Sequence, residues 1–122
     1  MDCPFCQLKE YVCENKLAFA IYDKYPVNEG HMLIITKRHV DVFFNTTKEE
    51  KKAIMDLLEK CKNILDKKFN PDGYNIGVNC GEEAGQTIMH LHVHIIPRFK
   101  GDIADPTGGV RGVIPEKRVY RG

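Results

Sequence analysis

Three histidines alternate with apolar residues in Met89-His90-Leu91-His92-Val93-His94-Ile95-Ile96, and a Cys-x-x-Cys pair opens the chain at Cys3-Pro4-Phe5-Cys6. Imidazole is a metal ligand, a proton carrier and, when neutral, a nucleophile competent near pH 7. In a strand, residues i, i+2 and i+4 share a face. The spacing therefore predicts that His90, His92 and His94 project together while Leu91, Val93 and Ile95 face the core. Packing gives no reason for three imidazoles in a row. Two chemistries stay open on spacing alone. Three histidines with a water would make an open zinc site, although side chains in line on one strand converge poorly on a tetrahedron. Alternatively the middle histidine attacks a substrate, its Nδ1–H held by a carbonyl so that Nε2 presents the lone pair.

Cys3 and Cys6 have the spacing of half a zinc site, but no second pair follows. A redox pair of the thioredoxin kind would sit between a strand and a helix, not at the start of the chain. Cys13, Cys61 and Cys80 are isolated in sequence and read as packing or incidental residues. Five cysteines, an odd number, argue against a disulfide framework.

The elements that must position these groups follow from periodicity. Residues 17–23 (LAFAIYD) and 31–36 (HMLIIT) read as antiparallel strands joined by a turn containing Pro26, Asn28 and Gly30. From Thr47 the period becomes helical, with Ile54, Leu57, Leu58, Cys61, Ile64 and Leu65 on one face. Thr47 and Glu50 form a capping-box signature, and Asn70-Pro71-Asp72-Gly73 stops the helix, which gives 47–69. Residues 74–79 and 89–96 read as two more strands. After Pro97 a glycine-containing irregular tail, 99–122, completes a single domain spanning 1–122. Strands on both sides of one long helix predict an α+β fold built on an antiparallel sheet.

At 122 residues, this size supports a hydrophobic core without disulfides. Eighteen Lys+Arg against seventeen Asp+Glu leave a charge of +1, which argues against a nucleic-acid partner. No apolar run reaches the roughly 18 residues of a membrane span. Met1-Asp2-Cys3-Pro4 has neither the basic nor the apolar part of a secretory signal, so the expectation is a cytoplasmic protein.

Gly85-Gln86-Thr87-Ile88-Met89-His90-Leu91-His92-Val93-His94-Ile95-Ile96 resembles the signature of the histidine triad (HIT) superfamily. Gly30-His31-Met32-Leu33-Ile34-Ile35-Thr36-Lys37-Arg38-His39 is similar to a second segment of that family, with Thr36 where proline is usual. Val78-Asn79-Cys80-Gly81 and Ala84-Gly85-Gln86 resemble a third. The departure at Thr36 is expected to alter only a strand end.

The resemblance implies a HIT-like fold and hydrolysis of a nucleoside phosphoramidate or dinucleoside polyphosphate through a covalent nucleotidyl-histidine. His92 would be the nucleophile, with the carbonyl of His90 holding its Nδ1–H. His94 would contact the phosphate and assist the leaving group, and His31 would support the cluster. Gln86, Thr87 and Asn79 would bind the phosphate, and Asp23 the ribose. The resemblance also implies structural zinc on Cys3, Cys6, His39 and His90, with no catalytic metal or organic cofactor. A purine nucleotide of the adenine series and a homodimer complete the expectation, with no nucleic acid or membrane partner.

Two other readings compete. One is a catalytically weak nucleotide-binding or scaffolding module on the same fold. The other is a three-histidine metalloenzyme. The tail from Asp105 to Pro115 lacks the Gly-Lys-Ser/Thr of a P-loop. It reads either as a segment closing over the leaving group or as an arm packing on a dimer mate.

Overall fold

The computed structural model describes residues 3–120. Five strands, β1 (Cys13–Glu14), β2 (Ala18–Tyr22), β3 (Met32–Thr36), β4 (Gly73–Val78) and β5 (His92–Arg98), accompany one long helix, α1 (Lys48–Phe69). The sheet is antiparallel throughout, in the order β1-β2-β3-β5-β4. This is the expected α+β architecture. The short β1 and several 3-10 turns are additions; a two-residue strand leaves no period to read.

Helix α1 begins where its capping box predicts. The Glu50 N–H donates to Thr47 Oγ1 at 3.0 Å, and the Thr47 N–H donates to Glu50 Oε1 at 2.9 Å. Glu50 is itself buried and accepts two hydrogen bonds from Arg38, at 2.8 and 2.9 Å. Asn70 ends the helix in the left-handed conformation at φ 50°. Gly30, at φ +88°, brings the β2–β3 turn against that end, where a Cβ would lie 2.9 Å from Phe69.

The two faces of the sheet are covered differently. On one, Ala18, Ala20, Met32 and Ile34 pack with Ile54, Leu57, Cys61 and Leu65 of α1. On the other, Phe19, Leu33 and Ile35 pack with Cys3 and Phe5 of the N-terminal segment. The Cys-x-x-Cys segment is therefore a cover for half the sheet.

Two expectations about β5 need correction. The strand starts at His92, not at residue 89, so His90 precedes it and is fully buried. It also continues through Pro97 to Arg98. Pairing with β3 ends at Ile95, so Pro97 has a ladder neighbour only on β4, opposite Tyr74, where its missing N–H is tolerated. The tail folds into 3-10 turns at Gly109–Val113 and Pro115–Lys117, and Gly109 approaches Asn75 of β4.

Candidate active site and metal centre

His92 and His94 sit on alternate positions of β5, opposite Ile35 and Leu33 of β3, with Val93 and Ile95 buried beneath. Their rings lie 5.4 Å apart at 62°, on the face covered by the N-terminal segment. The three histidines do not converge on one point. Each Nδ1 has a different partner.

His92 Nδ1 lies 2.8 Å from the carbonyl oxygen of His90. A carbonyl only accepts, so Nδ1 carries the proton and Nε2 keeps a free lone pair. The edge of Phe5 packs against the same ring, with centroids 5.0 Å apart. His94 Nδ1 lies 2.9 Å from His31 Nε2. The Val27 N–H donates to His31 Nδ1 at 3.0 Å, so His31 must carry its own proton on Nε2 and donate it to His94. His94 therefore bears its proton on Nε2. Burial and the neighbouring imidazoles push its pKa down to about 4, so it is a neutral donor at pH 7.

Asp23, just beyond β2, places Oδ2 3.4 Å from His31 Nε2. Asp23, His31 and His94 lie close enough to suggest a metal cluster. The proton wiring opposes it: a metal on His31 Nε2 would require Nδ1 to be protonated, facing the Val27 N–H.

A second constellation brings together all four sequence-expected ligands. Cys3 Sγ is 3.3 Å and Cys6 Sγ 3.5 Å from His90 Nδ1, and Cys6 Sγ is 3.2 Å from His39 Nδ1. These four ligand atoms lie within 4.8 Å of one another. Tetrahedral zinc with ordinary Zn–S and Zn–N bonds would separate S from N by about 3.5 Å, so the residues fit the ion. His90 Nε2 lies 2.7 Å from the Thr36 carbonyl, which fixes the proton there and leaves Nδ1 free to ligate. Thr36 is thus more than a strand end. It is fully buried, its carbonyl orients the His90 ring, and its hydroxyl donates to the Arg38 carbonyl at 2.9 Å.

An open cavity of about 1090 Å³ lies over His92 and His94. Its apolar lining includes Phe5, Leu8, Ile21, Leu33 and Ile88, and its polar lining includes Asp23, Asn79 and Thr87. Gln86 is placed elsewhere. It is buried, its Oε1 accepts from the Gly81 N–H at 2.8 Å, and its Nε2 donates to the carbonyls of Asp41 and Ile88 at 2.8 and 3.1 Å. Its amide shapes the loop that carries Gly85 and Thr87 into the cavity. No residue after Arg98 lines it, so the tail does not close over the site within the described chain.

Two participants, Phe5 and Val27, were not singled out from sequence, and Thr36 was noted only as a departure at a strand end. Phe5 carries no signal of its own within the Cys-x-x-Cys segment. Val27 and Thr36 act through backbone groups, which carry no side-chain signal.

The HIT domain model matches residues 7–101, and the chain belongs to the HIT family. It is 37% identical over 106 residues to a HIT-like protein of Methanocaldococcus jannaschii, covering 82% of this chain and 81% of that one. It is 37% identical over 90 residues to an asymmetrical bis(5'-nucleosyl)-tetraphosphatase of Schizosaccharomyces pombe, covering 74% and 50%. A zinc-bound histidine triad protein of Mycobacterium smegmatis superposes with a TM-score of 0.76 at 28% identity, covering 84% and 79%. Family relatives include proteins named AP-4-A phosphorylase and bis(5'-adenosyl)-triphosphatase, and this chain spans 47% and 58% of their lengths. Among the described residues, no helix is long and apolar enough to cross a membrane.

Proposed function

We propose that the protein hydrolyses dinucleoside polyphosphates, such as diadenosine tetraphosphate, through a nucleotidyl group carried on His92. The observation that carries this reading is the carbonyl-held Nδ1–H of His92, which leaves Nε2 as a free nucleophile beside the cavity. His92 Nε2 attacks the α-phosphorus and the bond to the leaving phosphate breaks. Water then attacks the phosphorus, returning His92 and releasing a nucleoside monophosphate.

His94 supports the choice of leaving group. Its wiring makes it a neutral N–H donor rather than an acid. Such a group stabilises charge on a phosphate oxygen that leaves as an anion. An amine leaving from a phosphoramidate must acquire a proton, and a neutral imidazole N–H gives one up poorly. The names of the tetraphosphatase and triphosphatase relatives support the same substrate class. Thr87 and Asn79 supply cavity donors for phosphate, and Asp23 an acceptor for ribose hydroxyls. Gln86 contributes by shaping the loop. The apolar lining suits a purine, taken as adenine, and exposed Ile76 on edge strand β4 supports a homodimer.

Structural zinc on Cys3, Cys6, His39 and His90 would fix the N-terminal cover and the carbonyl that holds His92. A closed four-ligand site leaves no position for substrate, which suits a structural ion.

The test is a substrate panel at equal enzyme concentration, with His92→Ala alongside. The expected result is a higher kcat/KM for diadenosine tetraphosphate than for adenosine phosphoramidate, and loss of both in the folded variant. A scaffolding module would bind nucleotide and turn over neither. Retained turnover in His92→Ala would sink the nucleophile assignment.

A further inference from the structure

Cys13 and Cys61 are 48 residues apart in sequence, yet their sulfurs lie 3.9 Å from one another. Cys13 is half-buried on β1, at the edge of the sheet, and Cys61 is fully buried on the sheet-facing side of α1. Neither belongs to the group formed by Cys3, Cys6, His39 and His90. The neighbouring chain already holds the two elements in place, because Asn15 Nδ2 donates to the Ala53 carbonyl of α1 at 2.9 Å. The pair is therefore two thiols in contact across an edge strand and a helix whose positions are fixed independently.

We propose that Cys13 and Cys61 form an oxidisable dithiol site, which takes a small-molecule disulfide as its oxidant and closes to an intramolecular bond between β1 and α1. Partial exposure makes Cys13 the entry point. Its thiolate attacks the external disulfide, breaking that S–S bond and releasing one small thiol. Cys61 then attacks Cys13 in the mixed disulfide, breaks its bond to the small thiol, and passes its proton to the departing thiolate. The protein loses two electrons and two protons, and the oxidant gains them as two thiols. The first step is local. The second requires the sulfurs to move from 3.9 Å to bonding distance of about 2.05 Å, a displacement for side-chain rotation.

Closure ties the strand that follows cavity-lining residues Gln7, Leu8, Lys9 and Glu10 to the helix. Cross-linking across 48 residues restricts the unfolded chain, so oxidation raises Tm, by on the order of 10 °C.

The experiment treats the zinc-loaded full chain with oxidised glutathione, then reads intact mass, cross-linked peptides, bound zinc and Tm. The expected product is lighter by two hydrogens, carries a peptide joining Cys13 to Cys61, keeps its zinc and melts higher. Reduction reverses the shift, and Cys13→Ser forms no link. Cys61→Ala, if folded, becomes trapped as the glutathione adduct at Cys13. A wild-type protein that stops at that adduct overturns the proposal. So does one that links Cys3 to Cys6 while Cys13 and Cys61 stay reduced, or one whose Tm does not rise on closure.

Discussion

His31 Nε2 donates its proton to His94 Nδ1 across 2.9 Å, and the direction of that bond is set by the backbone of Val27. A main-chain N–H in a turn thus decides which nitrogen of a strand histidine faces the cavity as a donor. His31→Phe keeps an aromatic ring but removes the donor, freeing His94 to present either tautomer. The expected outcome is a kcat lower by about 100-fold, with KM changed by less than about threefold. Steady-state kinetics on diadenosine tetraphosphate separate the two.

The same burial makes stability depend on pH. His94 titrates at about 4 in the folded protein and near 6.5 when unfolded, and His31 is also held below its usual value by burial. Between those values the unfolded chain binds more protons, so stability rises with pH and is lost as pH falls from about 6.5 towards 4. Urea denaturation at pH 7, 5.5 and 4.5 should show falling midpoints, with a shallower fall in His94→Asn.

Phe5 links the Cys3, Cys6, His39 and His90 group to the cavity. It lies between Cys3 and Cys6 in the chain, is 8% exposed, and packs edge-on against both His90 and His92, at 5.9 and 5.0 Å. A strong chelator should remove about one zinc per chain, lower Tm and weaken binding of adenosine monophosphate. Phe5→Ala should keep the zinc yet bind that nucleotide about tenfold more weakly, since one buried aromatic contact of about 1.4 kcal/mol accounts for the loss. Metal analysis and calorimetric titration measure the two effects separately.

Gln86→Leu tests the loop. It would strip partners from the Gly81 N–H and from the Asp41 and Ile88 carbonyls. A destabilisation of about 1–3 kcal/mol is expected in urea unfolding, because three backbone groups lose the partners that the buried Gln86 amide supplies. KM should rise as Thr87 and Gly85 lose their fixed positions.

Much of the fold was legible because its signals are local. Thr47 and Glu50 cap α1 through their own side chains, and the apolar period of the helix survives unchanged. The alternation around His92 and His94 likewise marks a real strand. His90 misled because it obeys the same alternation while its ring turns inward, towards Thr36 and the thiols of Cys3 and Cys6. Gln86 was expected at the phosphate from the family resemblance, and a motif does not show that its amide turns to the Gly81 N–H and the Asp41 and Ile88 carbonyls. The contact of Cys13 with Cys61 depends on how β1 meets α1, and nothing local encodes it.

The central claim is that a nucleotidyl group passes through His92 Nε2. Rapid alkaline quenching of wild-type protein during turnover of diadenosine tetraphosphate, followed by peptide mass analysis, tests it directly. The predicted result is one acid-labile adenylyl group on the peptide containing His92, appearing within the first turnover and absent from His92→Ala. Full turnover with no adduct, or an adduct on another residue, would contradict it.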